Sequence, residues 1–131
     1  MARLLNLAGA AGALAIAFAV ASPPAAIASS STTSGQQVFM AHCAVCHSNK
    51  KEGGSSIGPH LFGVVGRKAG SIPGFAYSVA MRKSGLTWTE DNLKDYVANP
   101  RQVVPGNRMP FAGLHNQQQL DALADYLATL K

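Results

Sequence analysis

Charge is scarce in this chain: Asp, Glu, Lys and Arg make up only 13% of its 131 residues, against 47% apolar ones. A disordered polyelectrolyte is excluded by that balance. Cysteine is scarcer still, with two in the whole chain, so a disulfide-stapled scaffold is excluded as well. Thirteen glycines and seven prolines are too few for a collagen-like chain. Acids are the minority sign, six against eleven Lys plus Arg, which leaves a net charge of +5. A mild basic excess favours acidic partners. It does not imply nucleic acid, because a single-strand groove would cluster its cations among aromatics and here they stand singly or in pairs. There is no internal repeat, and the length allows one domain.

The amino-terminal segment reads as a leader. Arg3 is followed by Leu4 to Ala21, an uncharged run of mostly Ala, Leu, Gly, Ile, Phe and Val. Ser22-Pro23-Pro24 interrupts it, and Ala26-Ile27-Ala28 presents small residues at both positions that a signal peptidase reads. Residues 1–28 are therefore expected to be a cleaved signal peptide and 29–131 the functional domain. Ala19-Val20-Ala21 offers an earlier cut. A retained membrane anchor is the competing reading, since the run approaches the roughly 20 apolar residues of a spanning helix. Ala and Gly dominate it, however, and contribute little transfer free energy.

A domain of about 100 residues buries a modest core and often leans on a disulfide, metal or cofactor. Attention therefore falls on Cys43-Ala44-Val45-Cys46-His47, a C-x-x-C-H pattern. Two thiols separated by two residues can add to the two vinyl groups of one haem, and the adjacent imidazole then reaches the iron. Covalent haem attachment of this kind takes place outside the bacterial cytoplasm, in keeping with an exported chain. Three other readings compete. A thioredoxin-like C-x-x-C expects a preceding strand, and Ser34 to His42 looks helical instead. Zinc could recruit His42, Cys43, Cys46 and His47, but structural zinc normally draws ligand pairs from separate segments. A local disulfide is the third.

An electron-transfer haem takes a sixth ligand, and Met is the one that raises the potential. Met40, Met81 and Met109 are the candidates. Met109 stands in Val104-Pro105-Gly106-Asn107-Arg108-Met109-Pro110-Phe111-Ala112-Gly113, a stiff loop able to press a thioether onto iron. Met40 and Met81 read as core filler.

With these residues in view, the chain resembles the class I c-type cytochromes, the group of mitochondrial cytochrome c and bacterial soluble cytochromes. The likeness runs from Gly35 to about Leu127. It is carried by Gly35, Phe39, the C-x-x-C-H motif, Gly58-Pro59-His60-Leu61-Phe62-Gly63, Gly66-Arg67-Lys68 and Pro73-Gly74-Phe75-Ala76-Tyr77-Ser78. Trp88, Tyr96, Asn99-Pro100, the Met109 loop, Leu123 and Tyr126 complete it. The resemblance implies one haem c held by thioethers to Cys43 and Cys46, with His47 and Met109 as axial ligands. It implies that the Pro59 carbonyl accepts the His47 ring N–H, orienting the imidazole. Arg67, Tyr77 and Trp88 would contact the propionates, Tyr96 would lie near the Met109 sulfur, and Phe111 would cover the haem edge. Independently, Trp88 is the only Trp and its buried N–H needs a partner, while a buried Arg67 would demand an anion. The chain departs from the family at Met81, where Asn is frequent, and at Asn107, where Thr is. It also departs at His60 and Phe62, which replace Asn and His.

The expected fold is all-α, a small helical cytochrome c domain over 29–131 wrapped around one covalent haem, with long Gly/Pro-rich loops. Ser34 caps a helix running to about Val45, with Val38 and Phe39 inward. Ser48 to Ala76 is loop, too long for a compact domain unless a buried cofactor gives it something to pack on. Thr89 caps a helix from Glu90 to about Ala98, stopped by Asn99-Pro100. The last helix, about Asn116 to Leu130, carries a stripe of Leu120, Leu123, Ala124, Leu127 and Leu130, with Asp121 and Asp125 outward. Where the terminal helices cross, Gly35 and Phe39 would meet Leu123 and Tyr126.

Functionally, two occupied axial positions leave no site for substrate, so the expected role is a soluble periplasmic single-electron carrier and not an enzyme. A membrane-anchored relay is the alternative if residues 4–21 are retained, and a haem enzyme or gas sensor would need a labile distal position. The expected partners are redox proteins with acidic docking sites, met by a monomer. A quinol-oxidising complex, terminal oxidase, photosynthetic reaction centre or periplasmic reductase would each suit. Arg101 and Arg108, with Lys50 and Lys51, would steer docking, while Glu90, Asp91, Asp95, Asp121 and Asp125 lie elsewhere.

Overall fold

Side-chain caps decide where each helix of this chain begins. The computed structural model describes residues 33–52 and 57–131, so the expected signal peptide and its cleavage lie outside the described residues. The described residues fall within one compact unit, Ser31–Lys131. Helix α1 spans Gly35–His42 and opens on a capping box. In it, Ser34 Oγ accepts from the Gln37 N–H at 3.3 Å and Gln37 Oε1 accepts from the Ser34 N–H at 2.9 Å. Helix α2, Val79–Lys83, is capped by Ser78. A second capping box, Thr89 with Asn92, starts α3 over Glu90–Ala98. Glu90 and Asp91 occupy the first turn of α3, where the helix dipole favours anions. Asn99-Pro100 ends α3 as expected, yet Pro100 also starts a four-residue helix, α4, Pro100–Val103. A proline whose missing N–H is an orphan anyway suits that first position. Helix α5 covers Gln117–Thr129 behind the Asn116 cap.

The core sits where α5 receives α1 and α3. Phe39 and Leu123 are 1% and 2% exposed, and the Phe39 and Tyr126 rings lie 5.7 Å apart. Leu120, Leu123, Ala124 and Leu127 are buried while Asp121 and Asp125 face solvent; Leu130 is only partly covered. At the crossing, a Cβ on Gly35 would stand 1.8 Å from the Ala122 carbonyl oxygen and 2.5 Å from Tyr126 Cβ. Only hydrogen fits there. On the other side of α5, the Lys94 ammonium reaches Asp91 at 3.3 Å and Asp121 at 3.4 Å, an exposed bridge between α3 and α5 of little energetic weight.

Two expectations need correction. The first helix stops at His42, three residues short of Val45, because the Cys43 and Ala44 N–H groups both donate to Phe39 O and tighten the chain. Met40 is not core filler: it is 60% exposed, one residue past the inward Phe39 and so rotated about a quarter-turn off the buried face. Among the described residues, 48–76 contain no helix, as expected, but the chain is not unpaired. Gly66 N–H donates to Trp88 O, Trp88 N–H to Arg67 O and Ala69 N–H to Leu86 O, a short antiparallel contact centred on Lys68 and Thr87. Asn49 ties the start of the loop to α5 through the Tyr126 hydroxyl at 2.8 Å.

Replacing Gly35 with Ala should push α1 from α5, because the Ala122 carbonyl and the Tyr126 Cβ that obstruct it are fixed to the α5 backbone and cannot rotate away. We expect a loss of about 1–3 kcal/mol, the usual cost of overpacking, read as a lower denaturant midpoint. An unchanged midpoint would show that the crossing tolerates a methyl group and that the contact is not limiting.

Candidate functional site

The C-x-x-C-H segment is wound into a tight turn directly after α1. Cys46 N–H and His47 N–H both donate to Cys43 O, at 3.0 and 2.8 Å. That winding presents both sulfurs and the imidazole to one cavity of about 280 Å³. Both thiols are free. Burial, helped by Cys46, pushes the Cys43 thiol up to about 11, which favours its neutral form. Among the described residues no group of three or more His, Cys, Asp or Glu side chains is placed to hold an ion. His42, Cys43, Cys46 and His47 therefore do not form a zinc set.

The imidazole of His47 is fixed in one orientation. Its Nδ1 lies 2.7 Å from the Pro59 carbonyl oxygen, which can only accept, so the proton sits on Nδ1 and Nε2 carries the lone pair. Burial lowers the pKa of His47 and outweighs the opposing effect of the Pro59 bond, keeping the ring neutral. Gly58 makes room for it: a Cβ there would stand 2.6 Å from His47 Cε1 and 2.9 Å from Cys46 O.

All nine residues singled out from sequence line this cavity: Cys43, Cys46, His47, Pro59, Arg67, Tyr77, Trp88, Tyr96 and Met109. Arg67 donates to the carbonyls of Phe62 at 2.8 Å and His60 at 2.9 Å. Both acceptors are neutral, and among the described residues no carboxylate pairs with this half-buried cation, which burial pulls down from its ordinary pKa. Trp88 and Tyr96 are buried with ring centroids 5.0 Å apart. Burial pushes the Tyr96 phenol up to about 12, and it also raises Tyr77. Phe111 lines the cavity as well.

Sequence reasoning missed part of the wall. Met81 is buried, but it also lines the cavity, which therefore contains two thioethers, Met81 and Met109. Val64, Leu93 and Leu127 supply further apolar lining. Helical periodicity points to Leu127 as core without saying what it faces, and Val64 sits in a Gly-flanked loop with no period to read. Asn107 lines the cavity too and accepts from the Met109 N–H at 2.9 Å.

The cavity thus combines two free thiols on one turn, an oriented imidazole lone pair, a thioether on a separate loop and a half-buried cation lacking an anion. Such a donor set in apolar walls fits a haem, and defines a protein that fastens one through thioethers at C-x-x-C-H. Comparison with known proteins agrees. The family model described as cytochrome c matches residues 32–131. The chain is 52% identical over 89 residues to cytochrome c2 iso-2 of Magnetospirillum molischianum, covering 68% of this chain and 91% of that one. It is 41% identical over 110 residues to cytochrome c2 of Blastochloris viridis, covering 84% and 86%. The solved structure of cytochrome cH from Methylobacterium extorquens matches with a TM-score of 0.66 at 43% identity, covering 72% of this chain and 94% of that one. The chain belongs to the cytochrome c family, haem-bearing proteins of electron transport with one covalently attached haem c.

The raised Tyr96 phenol sets a pH dependence. Its folded value of about 12 lies above the ordinary 10, so the stability it contributes is complete below pH 10 and is lost as pH rises toward 12. Tyr96→Phe should flatten the fall in unfolding midpoint between pH 10 and 12. Identical slopes in the two proteins would show that the phenol is not protected.

Proposed function

We propose that the protein is a single-electron carrier of the periplasm, formed by residues 29–131 after removal of residues 1–28. What carries the reading is the convergence of the His47 nitrogen lone pair and the Met109 thioether on the cavity beside the two thiols. Bound haem supplies a one-electron valence change at iron, and Met ligation favours a relatively positive potential. The protein's own part is to hold and to exclude. Cys43 and Cys46 would anchor by thioethers, His47 would ligate through Nε2, and Met109 would fill the opposite position, leaving no place for substrate. Arg67, with Tyr77 and Trp88, would receive the propionates, which supply the anion that the guanidinium lacks. Tyr96 would stand beside the Met109 sulfur. The leader-like start and the cytochrome c2 relatives support export. Among the described residues no helix is long and apolar enough to cross a membrane; an anchored relay would differ only in keeping residues 4–21.

Met109→Ala is expected to leave the haem attached, abolish the Fe–S charge-transfer band, lower the potential and open the ferrous protein to carbon monoxide. Because Met81 shares the cavity, Met81→Ala is the necessary companion. Loss of the band in Met81→Ala and its survival in Met109→Ala would reverse the assignment.

Partners would be redox proteins with acidic docking sites, among them quinol-oxidising complexes, oxidases, reaction centres and periplasmic reductases. Arg101, Arg108, Lys50 and Lys51 are exposed, and the acids sit mainly on α3 and α5. Arg108 also donates to Ala76 O, so reversing its charge would cut a structural tie. Arg101→Glu is the cleaner probe. Steering raises association rates by roughly 10 to 1,000-fold and falls with ionic strength. Stopped-flow oxidation by the native acceptor should slow severalfold in Arg101→Glu at low salt, with the difference gone at high salt. A rate constant flat with salt and indifferent to the reversal would eliminate steering.

A further inference from the structure

The Met109 loop leaves α4 at Val104 and turns through Gly106, whose φ of +85° places it in the left-handed region that glycine takes without penalty. Between that turn and Met109 stands Asn107, half-buried and lining the cavity. The hydrogen bonds the structure records for its side chain all go to this loop and to α4 before it. Its Nδ2 donates to Pro100 O at 2.8 Å and to Val104 O at 3.0 Å. Its Oδ1 accepts from the Met109 N–H at 2.9 Å. The backbone of Asn107 adds a fourth bond, N–H to Val104 O at 3.0 Å. Pro100 O and Val104 O lie at the two ends of α4, and Pro100 O already accepts from the Val104 N–H.

We propose that Asn107 is the positioning residue for the Met109 thioether, its amide clasping the α4 carbonyls on one side and the Met109 backbone on the other. The inference rests on Met109 being the axial ligand and goes beyond it by naming what holds the sulfur in place. A planar amide offers donors at one end and an acceptor at the other. Hence it can fix the Met109 N–H relative to α4, with Nδ2 donating to two carbonyls while Oδ1 accepts, which a carboxylate without an N–H donor cannot do. The arrangement also explains why the loop needs no helix of its own. Met109 is preceded by Arg108, tied outward to Ala76 O, and followed by Pro110, so its remaining freedom is removed by the inward clasp. A ligand delivered by a prearranged loop binds more tightly than one that must be ordered first.

The test uses the ferric holoprotein and exogenous imidazole, which competes with the thioether. Wild type, Asn107→Ala, Asn107→Asp and Gly35→Ala are titrated while the Fe–S charge-transfer band and the far-ultraviolet helix signal are followed together. Asn107→Ala should lose the band at imidazole concentrations at least tenfold lower than wild type, with its helix signal unchanged. Asn107→Asp keeps an acceptor for the Met109 N–H but turns an oxygen toward two carbonyls; it should group with Asn107→Ala. Gly35→Ala, which weakens the distant helix crossing, should titrate like wild type. The clasp is overturned if Asn107→Ala matches wild type, if Asn107→Asp does so, or if Gly35→Ala shifts as far as Asn107→Ala. Absence of the band from wild type would instead refute Met109 ligation, so the two failures are distinct.

Discussion

The residues from Ser48 to Ala76, as far as they are described, contain no helix, and several of their apolar side chains line a cavity as well as packing against the core. Leu61, Val64 and Phe75 from this stretch all line it, as does Tyr77 just after its end. A loop of this length in a domain of this size ordinarily has too little to bury against the entropy of ordering it. The three short backbone pairings to residues 86–88 and the Asn49–Tyr126 bond hold its course but do not fill its interior. The haem c of the family would give the loop something to pack on, while α3 and α5 supply Leu93, Tyr96 and Leu127 to the same cavity. Cofactor and core are therefore one constraint, and the identity of the loop residues follows from it.

The same constraint explains the rigidity of the His47 side. A haem held by thioethers to Cys43 and Cys46 would need the imidazole delivered in a defined orientation from the same turn. Two features meet that demand. The Pro59 carbonyl holds Nδ1, and Gly58 leaves open the space beside Cε1 that any other residue would invade. Burial supports them by keeping the ring neutral, since a protonated imidazole could not offer its lone pair. Orientation and protonation state are thus set by the fold before iron is considered.

Much of this was legible in the sequence, for reasons that can be named. Ser34 with Gln37 and Thr89 with Asn92 are local capping chemistry, and local chemistry survives without knowledge of the tertiary fold. The Leu120, Leu123 and Leu127 stripe is periodic, and C-x-x-C-H is a spacing that the chemistry itself imposes. The illegible parts lacked either property. Four-residue α4 is too short to display a period, and Pro100 reads equally well as a stop and as a start. Residue type alone suggests a core position for Met40, but the rotation from Phe39 along α1 turns it outward. Met81 was assigned to the core correctly, but no sequence pattern tells a core residue facing protein from one facing a cofactor.

The two proposed axial ligands are delivered by opposite strategies, and the difference bears on function. His47 follows immediately on the proposed anchors, and its backbone is held by the same turn through Cys43 O. Met109 is separated from the anchors by more than sixty residues of chain, so its loop alone must hold it. Pro105 and Pro110 restrict the backbone, Arg108 ties it to Ala76 O, and Asn107 ties it to both ends of α4. A carrier gains from such stiffness: a thioether held in place in both valence states requires little rearrangement when an electron arrives or leaves. With Met109 as ligand it would also deny the iron to small molecules, which would set a carrier apart from a gas sensor or a haem enzyme. Placing that selectivity in a loop of ten residues, remote in sequence from the attachment motif, lets the distal position be tuned without disturbing the covalent one.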